Sequence, residues 1–229
     1  MKLLAIDTAT RIGSIALVAG DELVQENRFH AEVTHTEQLL PAIDAILKQV
    51  GWKLSQLNGL ALAIGPGSFM GLRIGLATVK GFAQVHSLPI VGVSSLLALA
   101  HNGLLSEEPV VALLDAKRRE VYAAVYEFQK GKLKKIRLKE RAINPEILCK
   151  TLKKIGPCWL LGEGALVYRS LFEEALGKNA FFPPPSLMTL QARWIAWTAV
   201  PLLKKGEGKN WASLTPNYLR VSDAELQKG

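Results

Sequence analysis

Only two cysteines, Cys149 and Cys158, occur in 229 residues. They show neither CxxC nor zinc-site spacing, which argues against a disulfide scaffold and leaves a reduced thiol pair as the expectation. Histidine is scarce as well. His30, His35, His86 and His101 include no pair at i, i+4, so the simplest helical metal site is missing and no metal or other cofactor is expected. No run of about 18 uninterrupted apolar residues is present, and no membrane span is expected. Asp7 and Arg11 interrupt the apolar start early, which argues against a signal peptide and points to a cytoplasmic protein. No nucleophile-elbow string is found, and scattered Ser, His and Asp residues define no triad.

What remains is ordinary globular material: 49% hydrophobic and 21% charged residues, enough for one large domain or two small ones. The net charge of +8 invites a nucleic-acid partner without establishing one.

The most informative stretch is Gly-Pro-Gly-Ser-Phe-Met-Gly-Leu-Arg-Ile-Gly at 65–75. The apolar run Leu60–Ile64 before it reads as a buried strand, and the residues to His86 read as a helix. The glycines permit a sharp strand-to-helix turn, and Ser68 suits the helix N-cap. Backbone N–H groups at such a turn offer a seat for a phosphate or carboxylate. The helix is apolar over most of its circumference and needs cover on most sides. Two readings stay open: a central helix buried within one domain, or a helix partly covered by another protein, with Gly71 and Gly75 as a strip for close helix approach.

The two halves follow one plan. Residues 3–28 and 110–138 each read as a buried strand ending in Asp (Asp7, Asp115) followed by hairpin strands. Further helices are expected over Thr36–Val50, Ser68–His86, Ser94–Asn102, Pro145–Lys154, Ala165–Ala175 and Thr189–Leu203, with a stiff connector at 182–186. This is a duplicated α/β unit with mixed sheets flanked by helices. The expected division is 1–105, carrying the partner-binding helices, and 106–229, whose C-terminal segment packs back on the first domain.

Five strings together resemble the TsaB (YeaZ) family: Ile6-Asp7-Thr8, the 65–75 glycine-rich turn, Leu114-Asp-Ala-Lys-Arg-Arg-Glu-Val-Tyr122, Leu161-Gly-Glu-Gly-Ala165 and Ala212-Ser-Leu-Thr-Pro-Asn-Tyr-Leu-Arg220. They span nearly the whole chain. Met70 departs from the family's usual Thr and removes a hydroxyl from the helix start. The resemblance implies two actin-like, sugar-kinase-like (RNase H-like) subdomains. It also implies a non-catalytic subunit that binds TsaD, the enzyme forming N6-threonylcarbamoyladenosine beside the anticodon of tRNA. TsaE, a small ATPase, is the further implied partner, and a homodimer in isolation is a candidate state. The implied TsaD- or self-binding residues lie on the first two helices: Leu39, Leu40, Ile43, Ile46, Leu47, Met70, Gly71, Ile74, Gly75, Thr78 and Phe82.

Two enzymatic rivals stand or fall on particular residues. A metal-dependent peptidase needs the His-x-x-x-His pair of TsaD-like relatives, and the equivalent positions here are Ser95 and Leu99. An actin-like-fold small-molecule kinase needs phosphate hairpins with glycine. Here Asp7-Thr8-Ala9-Thr10 and Asp115-Ala-Lys-Arg have none, so a Cβ stands where a phosphate would approach. Asp7, Thr8, Gly65, Gly67, Ser68, Gly162 and Gly164 are therefore expected as a vestigial nucleotide or anion site. Residues 130–141 hold seven cations and one acid. In an extended strand Lys135, Arg137, Lys139 and Arg141 would share one face at about 6–7 Å spacing. That suits a tRNA phosphate backbone, and it equally suits an edge strand kept from aggregating.

Overall fold

A computed structural model of the chain describes residues 1–30 and 35–220. The first half contains β1 (Lys2–Asp7), β2 (Ile12–Ala19), β3 (Glu22–His30), α1 (His35–Val50), β4 (Gly59–Gly65), α2 (Phe69–His86), β5 (Ile90–Ser94) and α3 (Ser95–Ala100). The second contains β6 (Val110–Lys117), β7 (Glu120–Gln129), β8 (Lys132–Ile143), α4 (Pro145–Ile155), β9 (Cys158–Leu161), α5 (Glu163–Val167), α6 (Arg169–Leu176), β10 (Ala180–Phe181) and α7 (Ala192–Lys204). Packing divides the chain into two units: Met1–Ala98 with Leu190–Asn217, and Leu99–Thr189 with the segment from Tyr218.

In the first unit the sheet order is β3-β2-β1-β4-β5. β1, β2 and β3 pair antiparallel, while β1, β4 and β5 pair parallel. Alternation along the strands sorts side chains to two faces. Leu4, Ile6, Leu60 and Leu62 meet Leu39, Ile43, Ile46 and Leu47 of α1 and Val79 and Ala83 of α2. The intervening Leu3, Ala5, Ala61 and Ala63 meet Ala192, Ile195, Ala196, Ala199 and Val200 of α7. Alanine on both sides of that layer leaves little side-chain volume between helix and sheet.

The placement of α7 differs from a simple division at 105/106. Its apolar stripe needs a sheet face, and the first sheet offers one. The first unit ends at Ala98 and takes back Leu190–Asn217. Residues 221–229 of the expected second domain lie outside the described residues.

The second sheet repeats the first in order β10-β9-β6-β7-β8, with β6, β7 and β8 antiparallel and β6, β9 and β10 parallel. Val111, Leu113, Val121, Ala123 and Val125 pack against Leu148, Cys149 and Leu152 of α4 and Phe172 and Leu176 of α6. The duplicated α/β plan expected from the sequence is thus present. Details differ where the backbone leaves helical geometry. The helix expected over Ala165–Ala175 is two, α5 and α6, because Tyr168 between them has φ −108° and ψ 25°. α3 stops at Ala100 and passes into a 3₁₀ turn, His101–Gly103.

Candidate functional site

The glycine-rich turn is packed by the chain itself. Ser68 caps α2, its Oγ accepting from the Gly71 N–H at 3.2 Å. The Ser68 N–H donates to the Ala9 carbonyl at 2.7 Å, and the Leu72 N–H to the Ser68 carbonyl at 2.9 Å. A Cβ at Gly67 would lie 2.5 Å from the Ala9 oxygen, and one at Gly65 (φ +115°) 2.6 Å from the Asn217 oxygen. Asp7 is fully buried and accepts from the Ala9 N–H at 2.8 Å. Asp7, Thr8, Gly65, Gly67 and Ser68 do come together, but as a mesh between the β1–β2 turn and the start of α2. Of the N–H groups at this turn, those of Ser68, Gly71 and Leu72 already donate within the chain. Gly162 and Gly164, in the second unit, serve close packing on β6. A Cβ at Gly162 (φ +104°) would stand 2.1 Å from the Leu113 oxygen, and one at Gly164 3.0 Å from Leu114 backbone.

The expected partner residues separate into two groups. Leu39, Ile43, Ile46 and Leu47 are buried in the sheet-facing core. Gly71 and Gly75 are buried too. The Thr8 hydroxyl donates to the Gly71 carbonyl at 2.8 Å, and a Cβ at Gly75 would meet Thr8 Oγ1 at 2.4 Å. These six are removed from the docking surface, because the glycine strip faces the end of β1 rather than a second protein. Leu40 (52% exposed) and Met70 (68%) do face outward, with Ile74, Thr78 and Phe82 half-buried beside them.

The outward face of α2 also holds residues the sequence reading missed. Val85 is 76% exposed, and Ala77 and Gly81 are exposed between Met70 and Val85. A Cβ at Gly81 would meet nothing within 4 Å. Successive 100° steps place Met70, Ala77, Gly81 and Val85 within one narrow arc. The signal was the wheel itself, but a helix apolar nearly all round does not declare which arc meets the sheet. Arg73 borders this face with its guanidinium 3.8 Å from the Phe69 ring centroid.

The basic strand is exposed at Lys135, Arg137, Lys139 and Arg141, yet these residues do not alternate regularly. Leu138 lies opposite Val125, Ile136 opposite Tyr126, Lys135 opposite Glu127 and Leu133 opposite Phe128, so the register shifts three times. Each extra residue turns the side chains beyond it to a new direction, and the single-face arrangement is corrected. Arg137 pairs with Glu127, and the Tyr126 hydroxyl donates to Glu140 at 3.0 Å.

Ser95 and Leu99, at the positions of the relatives' metal pair, are both buried. Among the described residues no group of three or more His, Cys, Asp or Glu side chains converges. Burial pushes the Cys158 thiol up to about 12 and raises Cys149 as well. Also among the described residues, no helix is long and apolar enough to cross a membrane.

Two mixed sheets of the same strand plan, each flanked by helices, define a duplicated actin-like fold. Residues 29–227 match the family model described as TsaD: tRNA N6-adenosine threonylcarbamoyltransferase. The chain is 34% identical over 178 residues to the tRNA threonylcarbamoyladenosine biosynthesis protein TsaB of Escherichia coli, covering 76% of this chain and 77% of that protein. It is 29% identical over 227 residues to the Bacillus subtilis protein of the same name, covering 99% and 97%. The solved structure of YeaZ from Pseudomonas aeruginosa superposes with a TM-score of 0.79 at 27% identity, covering 95% of this chain and 99% of that one. The chain belongs to the TsaB (YeaZ) family.

Proposed function

We propose that this protein is a non-catalytic subunit of tRNA threonylcarbamoyladenosine synthesis that docks TsaD through the outer faces of α1 and α2. The family supports the pathway. The observation that carries the docking is the exposed apolar arc Met70–Ala77–Gly81–Val85 on α2, together with exposed Leu40 on α1. A glycine at the centre of an exposed helix face costs about 1 kcal/mol against alanine. Gly81 meets no group of its own fold that would require that loss. A partner helix lying close along Ala77 and Gly81 would require it, and α1 and α2 would then join two partner helices in a four-helix bundle. TsaE joins at the level of the larger assembly, and a homodimer is a candidate state of the isolated chain.

The kinase alternative needs glycine in its phosphate hairpins, and neither Asp7-Thr8-Ala9-Thr10 nor Asp115-Ala-Lys-Arg has one. The test is size-exclusion chromatography with and without TsaD. Wild type co-elutes with TsaD. Gly81→Arg stays folded by circular dichroism and elutes alone. A folded Gly81→Arg that co-elutes normally would place the interface elsewhere.

A further inference from the structure

The second unit carries a hairpin whose turn residues do not fit its backbone. Lys117 pairs with Glu120 across β6 and β7, which leaves Arg118-Arg119 as a two-residue loop. Lys117, Arg118 and Arg119 have φ of 59°, 51° and 60°. Positive φ at both loop positions is the pattern that selects Asn-Gly, Asp-Gly or Gly-Gly, because a Cβ is strained there. The other two-residue hairpins among the described residues each place a glycine in the loop. Ala19 pairs with Glu22 around Gly20-Asp21, where Gly20 takes φ 64°, and Gln129 pairs with Lys132 around Lys130-Gly131, where Lys130 takes 51° and Gly131 72°.

The strained turn is firmly held. The Lys117 N–H donates to Asp115 Oδ1 at 2.9 Å, and its ammonium pairs with Oδ2. Arg220 Nη1 donates to the Ala116 carbonyl at 3.3 Å and to Glu120 Oε2 at 3.1 Å. Lys117 and Arg220 engage the carboxylates of Asp115 and Glu120, and Arg118 and Arg119 are exposed. Strain kept in place by surrounding contacts is a mark of a functional site. The register sets Val121 opposite Ile143 and Ala123 opposite Arg141. The tip therefore stands at the end of β8 that bears Lys139 and Arg141. Residues 116–141 hold ten cations against three acids, +7 of the chain's +8.

We propose that the Arg118-Arg119 turn, with Lys139 and Arg141 at the same end of β8, forms a contact for an RNA phosphate backbone, with the turn as its principal element. The inference rests on the proposed role in tRNA modification and deepens it. Long cationic side chains without an apolar centre at the tip fit phosphates, whose recognition needs charge and reach. A protein interface would need a buried anchor.

The test replaces the turn with the pair its backbone favours, Arg118→Asn with Arg119→Gly. An unmodified tRNA transcript is titrated against the TsaD-assembled protein, and against the chain alone, at several salt concentrations. The expected result is weaker binding with a log–log salt slope shallower by about 0.7–0.9 per arginine. Tm should equal or exceed that of wild type by up to about 4 °C, with co-elution with TsaD unchanged. An unchanged affinity and slope would overturn the inference. So would a lower Tm, which would mean the arginines serve the fold, or lost co-elution with tRNA binding intact, which would mean a protein partner. Failure of wild type to co-elute with TsaD would instead count against the proposed function, and the titration on the chain alone still decides the turn.

Discussion

Glu26 on β3 accepts three hydrogen bonds from Arg193 at the start of α7: from the backbone N–H at 3.0 Å, from Nε at 2.7 Å and from Nη2. The neighbouring Ala192 N–H donates to Ser14 Oγ on β2 at 2.9 Å. The first turn of α7 is therefore capped by the sheet, and the Gln191 side chain does not cap the helix. The Glu26 side chain is 4% exposed, whereas that of Arg193 is 40% exposed. Removing the carboxylate would return the guanidinium partly to water, so the loss is smaller than for a fully buried pair. Glu26→Ala is expected to destabilise the protein by about 1.5–3 kcal/mol in urea unfolding. Glu26→Gln should recover part of that, since its amide oxygen still accepts from the backbone.

Leu39 and Leu40 are adjacent in sequence and opposite in role, at 1% and 52% exposure. Leu39→Ala is expected to cost about 2–5 kcal/mol, because it leaves a cavity between α1 and the sheet. Leu40→Ala should stay within about 0.5 kcal/mol of wild type. Leu40→Glu should weaken TsaD association while leaving the unfolding midpoint nearly unchanged. Equal stability losses for the two alanine variants would refute this orientation of α1.

The glycines of α2 divide in the same way. Gly75→Ala forces a Cβ into the Thr8 hydroxyl and should destabilise by about 1–3 kcal/mol. Gly81→Ala meets open space and should stabilise the isolated chain by about 1 kcal/mol. Urea midpoints of the two variants, read against wild type, should therefore move in opposite directions.

Much of this was legible in the sequence because period-two runs and turn residues are local signals. β1 to β3 and β6 to β8 lie where alternation and hairpin turns put them, and Ser68 caps α2 as its spacing suggests. The site was less legible for a physical reason. Leu39, Ile43 and Ile46 form a clean stripe, but a clean stripe is the signature of a helix facing its own sheet. The proposed docking arc of α2 instead combines Met70 and Val85 with Ala77 and Gly81, a mixture without amphipathic contrast. The bulges of β8 depend on pairings far apart along the chain, which no local window contains.

Cys158 supplies a pH test of the second core. Its thiol is held up to about 12 from an ordinary value near 9.0, chiefly by burial, with Glu108 and Cys149 adding to the rise. Between those values the unfolded chain gives up its proton while the folded chain keeps it. The native state then binds more protons, so stability falls as pH rises from about 9 toward 12. The contribution is complete below pH 9 and is lost at up to about 1.4 kcal/mol per pH unit across that window. Cys158→Ala removes this group, at the cost of a uniform offset at all pH values. The difference in unfolding free energy between wild type and Cys158→Ala is expected to be flat from pH 6 to 8 and to shift in favour of the variant above pH 9. A thiol reagent should likewise modify the native protein far more slowly than the urea-unfolded one. A pH-independent difference up to pH 11, or rapid native labelling, would show that Cys158 is open to solvent.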